Sequence, residues 1–245
     1  MAQLLSLTNV SKSFFDTKKE IKVLDNITFS IEDDQIIALL GPSGCGKSTI
    51  LNIISSLEKP TAGDVHINTK LGYMFQKDAL LPWRSVYKNI CIGLEINKKL
   101  NDENKKYVDE LISKYHLLEF KNSFPNQISG GMRQRVALIR TLVLNPNLLL
   151  LDEPFSALDA QTKMEVQNDV YNIIRQEKKS ALIVTHDISE AIALADKIII
   201  LSERPARILN TIEININNLE PNQRRKDIAF VNYFDLVTKE IKKRE

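Results

Sequence analysis

"QIIALLGPSGCGKSTILNIISSL", residues 35–57, joins a continuous apolar run, a glycine loop and a stretch with helical spacing. An unbroken apolar run of strand length suits a strand buried on both faces. Gly41, Gly46, Lys47 and Ser48 satisfy the spacing G-x-x-x-x-G-K-[ST], with Pro42, Ser43, Gly44 and Cys45 between them and Thr49 following. Glycines let backbone N–H groups turn toward an anion, and the N-terminus of the next helix adds a fixed positive dipole. Lys47 is then placed to reach the β- and γ-phosphates of a nucleotide, and Ser48 to hold Mg²⁺. The stretch predicts a strand, a phosphate-binding loop and a helix, in that order.

Outward from this unit the chain alternates. Downstream, the strand-like runs "NLLLLD", "SALIVTHD" and "DKIIILS" are separated by the helix-like "AQTKMEVQNDVYNIIRQ" and "ISEAIALA". Strands alternating with helices argue a parallel sheet with right-handed crossovers. Upstream, "LLSLTNV", "IKVL" and "ITFSI" alternate at period two and read as separate antiparallel strands. "DVHIN" and "LGYMFQ" read as two more, with only "NTK" to turn between them. From about Leu80 to Leu144 the spacing becomes helical, most clearly in "DENKKYVDELISKYHLL". The tail "FVNYFDLVTKEIKKR" is helical too, and its basic end reads as a solvated helix end rather than a lipid-binding patch. The expected plan is one domain: an α/β core over about 1–78 and 146–210, with an antiparallel β lobe at its N-terminal side. A helical lobe occupies about 79–145, and about 211–245 form a C-terminal extension.

Bulk properties bound the function. At 245 residues, 43% hydrophobic and 26% charged, the chain can bury a sizeable core. A net charge of +2 is too balanced to suggest nucleic-acid binding. Two cysteines, one inside the glycine loop, make no disulfide framework and suit a reducing compartment. The N-terminus has no basic start followed by a long apolar core and is not read as a signal peptide. The apolar runs "IIALL", "LLLL" and "IIIL" fall far short of the roughly 20 residues that cross a bilayer. Any membrane role needs a membrane-spanning partner.

Two further strand ends carry chemistry. "LLLLDEP" puts Asp152 and Glu153 where a buried strand stops. A carboxylate there, beside a phosphate loop, suits Mg²⁺ coordination, assigned to Asp152; Glu153, one residue on, is placed to polarise a water as general base. His186 closes "ALIVTHD" as a candidate γ-phosphate contact, since open α/β sheets bind ligands at the C-terminal edge of their strands. "ISGGMRQR", residues 128–135, opens a helical pattern, so Ser129, Gly130 and Gly131 lie at a helix N-terminus. Such a site can serve as a plain cap, or meet a phosphate held by a second copy of the chain.

The order of these stretches, with a glutamine after "YMF", "LLLLDEPFSALD" and "IVTHD", resembles the nucleotide-binding subunit of an ATP-binding cassette (ABC) transporter across nearly the whole chain. The resemblance implies ATP and Mg²⁺ as ligands, and a head-to-tail homodimer in which each ATP lies between one chain's phosphate loop and its partner's Ser129–Gly131. It implies that Gln76 touches Mg²⁺ and the attacking water and moves with the membrane partner. Asp159 of "SALD" would line the other copy's site. Phe14 would stack on adenine, with Phe15 as its rival. The segment Gln76–Ile90, with Trp83 in "LLPWRSV", would face a transmembrane permease at the cytoplasmic side of the cell membrane, with an extracytoplasmic solute-binding protein in the same system. "LLPWRSV", "GGMRQR" and "SERPARI" are similar to importer ATPases of the nitrate/sulfonate/taurine type. A soluble ABC-type ATPase with a non-transport role and a non-hydrolysing ATP-binding module are the rival readings. Relative to that family the chain is short between Gly63 and Gln76, which implies a trimmed antiparallel lobe.

Overall fold

The computed structural model describes residues 2–16, 19–216 and 219–242. The apolar run of the opening stretch is β3 (Ile36–Leu40), and every residue in it is buried. It lies in a six-stranded sheet with β5 (Leu71–Met74), β6 (Leu148–Asp152), β7 (Ser180–Thr185), β8 (Lys197–Leu201) and β9 (Ile208–Glu213), in the order β5-β6-β7-β3-β8-β9. All pairings are parallel except β8 with β9. The unbroken apolar runs follow from burial on both faces: alternate residues of one strand enter two different cores. Ile36, Ala38, Leu40, Leu149, Leu151 and Ile183 join the cluster under the helices. Ile37, Leu39, Leu148, Leu150, Leu182 and Val184 join the cluster under the second sheet and the first helix.

That second sheet is antiparallel, with β1 (Gln3–Asp16) between β2 (Lys19–Glu32) and β4 (Ala62–Ile67). Here the structure corrects the sequence reading. "IKVL" and "ITFSI" are not two strands but parts of β2, which runs through Asn26 by a register shift. Asn26 and Asn9 both take positive φ, 57° and 53°, a region that asparagine enters more readily than most residues. Side chains satisfy the displaced N–H groups: Asn9 N donates to Thr28 Oγ1 and Asn26 N to Ser11 Oγ. Gly63, at φ 86°, faces the Asn9 distortion so closely that a Cβ would stand 2.3 Å from the Asn9 carbonyl oxygen. A second correction concerns "NTK": β4 and β5 do not pair, and these residues carry the chain from one sheet to the other.

The helices are α1 (Lys47–Ile54), α2 (Val86–Ile96), α3 (Asp102–Lys114), α4 (Gly130–Leu142), α5 (Ala160–Gln176), α6 (Ile188–Leu194), α7 (Pro221–Arg224) and α8 (Ile228–Lys242). Ser85, Asn101, Ser129, Asp159 and Asp187 cap α2 to α6, each accepting from the backbone N–H three residues on. Strand β9 had no counterpart in the sequence reading, which divided these residues between the end of the α/β core and the start of the C-terminal extension. The last residues of the basic tail, 243–245, lie outside those described. Among the described residues no helix is long and apolar enough to cross a membrane.

Candidate active site

Four neighbouring strands end at one edge of the six-stranded sheet. In their spatial order, β5 leads to Gln76, β6 to Asp152 and Glu153, β7 to His186, and β3 to the glycine loop. Groups spread over more than a hundred residues of sequence therefore meet because their strands are adjacent.

The loop needs its glycines for different reasons. Gly44 and Gly46 adopt φ of 75° and 127°, which favour glycine. At Gly46 a Cβ would also stand 2.8 Å from Leu24 Cδ2 and 3.0 Å from Val23 Cγ1 of β2. Helix α1 starts at Lys47 without a side-chain cap, so its first N–H groups face outward as anion donors. Lys47 is buried, and its ammonium donates to the carbonyls of Gly41 and Pro42 at 2.8 and 2.9 Å.

Ser48 Oγ donates to Asp152 Oδ1 at 3.1 Å. Burial pushes the Asp152 carboxyl pKa up, while the Ser48 hydrogen bond and the Lys47 charge oppose that shift. Among the described residues no cation pairs directly with Asp152, and a buried carboxylate touching a hydroxyl is a hard-oxygen pair that fits Mg²⁺. No cluster of three or more acidic, histidine or cysteine ligands occurs among the described residues. Phosphate oxygens and water would have to complete any coordination sphere.

Glu153 sits at the centre. Its backbone takes φ of 42°, an uncommon conformation for a residue with a Cβ and one that recurs at functional sites. Its N–H donates to the Val184 carbonyl of β7 at 3.0 Å, holding this turn against the sheet. The Gln76 amide donates to Glu153 Oε2 at 3.3 Å. The other carboxylate oxygen lies 3.4 Å from His186 Nδ1 and 3.9 Å from Lys47 Nζ. His186 is half exposed, whereas the Glu153 side chain is 18% exposed. The arrangement can hold a polyphosphate on the loop, a divalent cation on Ser48 and Asp152, and a water against Glu153.

The remaining candidates lie elsewhere. Ser129 is exposed and accepts from Met132 N as the cap of its own helix; among the described residues it forms no hydrogen bond to the glycine loop. The two glycines allow close packing: a Cβ on Gly131 would stand 2.8 Å from Val166 Cγ2, and one on Gly130 3.1 Å from Leu158 Cδ2. The start of α4 therefore packs on the segment that ends in Asp159, which caps α5. The arginines trailing the glycines are held by carboxylates: Arg133 Nε donates to Asp78 Oδ2 at 3.1 Å, and Arg135 pairs with Asp169. Phe14 lies in β1 opposite Ile21, partly exposed, with the Lys12 ammonium 4.8 Å over its ring; its rival Phe15 is more exposed. No hydrogen bond, ion pair or ring contact ties Phe14 to the Glu153 cluster among the described residues.

Sequence reasoning missed how the Gln76 loop is anchored. Arg140 donates to the carbonyls of Asp78 and Ala79 at 2.7 and 2.8 Å, and Arg133 to the Asp78 side chain, so α4 grips the chain just past Gln76. The next turn is fixed by Asn89, which is fully buried. It accepts from Leu81 N and donates to the carbonyls of Leu81, Arg84 and Ser85. Leu80 is buried, but Trp83 on the same turn is 72% exposed. The apolar residues of this segment are thus divided between core and surface.

Comparison with known proteins gives the same picture. Residues 24–156 match the family model described as "ABC transporter". The chain is 40% identical to the uncharacterised ABC transporter ATP-binding protein YtlC of Bacillus subtilis, over 97% of this chain and 95% of that protein. It is 42% identical to the aliphatic sulfonates import ATP-binding protein SsuB of Bacillus cereus, over 86% of each. Its fold matches a dimeric post-hydrolysis structure of the ATP-binding cassette MJ0796 bound to ADP and Pi. There the TM-score is 0.74 and the identity 30%, covering 87% of this chain and all of that one. The chain belongs to the ABC transporter family and is an ABC-type ATPase.

Proposed function

We propose that this chain powers a solute importer as a homodimer beneath a separate membrane permease, hydrolysing ATP at sites shared between two copies. The observation that carries the reading is the Glu153 carboxylate gathered by Gln76, His186 and Lys47, beside the Ser48–Asp152 pair. The glycine loop from Gly41 to Thr49 binds the phosphates, and Phe14 offers a ring face to adenine. Ser48, Asp152 and Gln76 hold Mg²⁺, which neutralises charge on the β- and γ-phosphates when bound. Glu153 takes a proton from the attacking water. Lys47 and His186 stabilise the γ-phosphoryl group as its bond to the ADP leaving group breaks and the water oxygen bonds to phosphorus, giving ADP and inorganic phosphate. Ser129, Gly130, Gly131 and Asp159 act on the other copy's nucleotide. Their separation from the Glu153 cluster supports this, as does the dimeric assembly of the MJ0796 cassette.

Gln76 and the turn after it, to Ile90, face the permease at the cytoplasmic side of the membrane. The exposed Trp83 on a turn pinned by buried Asn89 supports a docking role, since rigid exposed aromatics favour partners. The similarity to the aliphatic sulfonates import protein SsuB supports a small solute of the sulfonate kind, within the nitrate, sulfonate or taurine type that the motifs resemble, and an extracytoplasmic binding protein would deliver it. Affinity capture of the tagged chain from detergent-solubilised membranes tests this reading. A multi-span permease in the eluate is expected; recovery of soluble factors or nucleic acid alone would overturn it in favour of a non-transport ATPase.

A further inference from the structure

Lys163 stands one turn into α5, its N–H bonded to the carbonyl of the cap residue Asp159 at 2.8 Å. Its ammonium crosses to α6, where it donates to Asp187 Oδ2 at 2.7 Å and lies 3.2 Å from Glu190 Oε2. Asp187 directly follows His186. Its other oxygen caps α6 by accepting from Glu190 N at 3.2 Å, and its own N–H donates to Thr185 Oγ1 at 3.0 Å. The group is sheltered, with the Glu190 side chain only 5% exposed and that of Lys163 23%.

We propose that Lys163 is a positioning residue that locks His186 to the first turn of α5, so that His186 and the Ser156–Asp159 segment move as one piece. This rests on the reading of His186 as a γ-phosphate contact. The physical case is geometric. Each helix cap adjoins a functional segment, Asp159 ending one and Asp187 following the other, and one ammonium spans the two caps. A lysine stem left to itself samples many rotamers; two carboxylates fix this one. Without the ammonium, Asp187 loses the cation that holds its Oδ2 and sheltered Glu190 loses its counter-charge, which loosens the cap that orients the residue before it.

The test compares Lys163→Met with Lys163→Arg, alone and in a His186→Ala background, by steady-state and single-turnover phosphate release. Lys163→Met should lower kcat about 10- to 100-fold, the order that an ångström of misplacement costs, with a much smaller change in KM for ATP. Lys163→Arg should recover most of that loss. In the His186→Ala background Lys163→Met should add almost nothing, because residues acting through one another are not additive. Asp187→Asn, which keeps a competent cap but removes the charge, should reproduce the kcat loss even if Lys163→Met folds poorly. Parental kcat in both Lys163→Met and Asp187→Asn, or a Lys163→Met loss that multiplies fully on that of His186→Ala, would overturn the inference. His186→Ala turning over at the parental rate would instead remove the assignment of His186 itself.

Discussion

The Gln76 amide donates to one oxygen of the Glu153 carboxylate at 3.3 Å, which joins the loop facing the proposed permease to the proposed general base. The chain just past Gln76 is gripped in turn by α4, since Arg133 and Arg140 hold Asp78 and the Ala79 carbonyl. The segment from Gln76 to Trp83 is therefore attached at one end to the chemistry and at the other to an exposed aromatic. This gives ATP hydrolysis a short physical path to the proposed membrane partner.

Lys47 should decide ATP binding. In the parent, ATP at about 100-fold above its Kd should stabilise the fold by about 2.7 kcal/mol, read as a rise in melting temperature. Lys47→Ala should show no such rise. A variant that ATP still stabilises as well as the parent would take Lys47 out of the phosphate site.

Asp152 and Ser48 should decide the metal requirement. Asp152→Asn keeps the shape and the Ser48 contact but removes the charge. It should bind ATP without Mg²⁺ about as well as the parent, and should fail to gain affinity or turnover as Mg²⁺ is added. A normal Mg²⁺ titration curve for ATPase activity would place the ion elsewhere.

Glu190 gives a pH signature. Burial pushes its pKa up from 4.5 to about 7, opposed by Lys163. Because the folded value is the raised one, its contribution to stability is complete below pH 4.5 and is lost as pH rises through about 7. A shift of that size is worth on the order of 3 kcal/mol. Glu190→Gln removes the titration, so its stability relative to the parent should rise between pH 5 and pH 8. Denaturant melts at the two pH values check this, and an unchanged difference would contradict it.

Trp83 and Asn89 should separate docking from folding. Asn89→Ala takes the side-chain partner from the Leu81 N–H and the Arg84 carbonyl, while the Leu81 and Ser85 carbonyls keep the backbone donors Arg84 N and Asn89 N, and should cost about 1–3 kcal/mol in denaturant melts. Trp83→Ala is a surface change and should stay within about 0.5 kcal/mol, yet it should deplete the permease from affinity-captured material. Equal permease recovery with the Trp83 variant would move the docking surface elsewhere.

The parts legible in the sequence were those fixed by local pattern. Buried strands read as unbroken apolar runs, the glycine loop has a set spacing, and Asp152, Glu153 and His186 each sit where an apolar run stops. Features set by long-range packing were not legible. The continuity of β2 through Asn26 depends on side chains of β1 that complete the distorted backbone. The transfer of the chain between sheets at Asn68–Lys70 depends on which strand each run pairs with. Strand β9 was hidden because its residues "ILNTIE" lack a clear buried face: only Ile212 in it is buried. Sequence spacing also gave no hint that Lys163 spans two helix caps, or that Arg133 and Arg140 hold the Gln76 loop.

The measurement that bears most directly on the central claim is made on Glu153→Gln with ATP and Mg²⁺, following phosphate release and the mass of the particle in solution. The account predicts retained ATP binding, turnover reduced at least about 100-fold as expected for loss of a general base, and a stable dimer holding two unhydrolysed ATP molecules. Turnover at the parental rate, or a protein that binds ATP but stays monomeric, would contradict the general-base role of Glu153 or the shared site respectively.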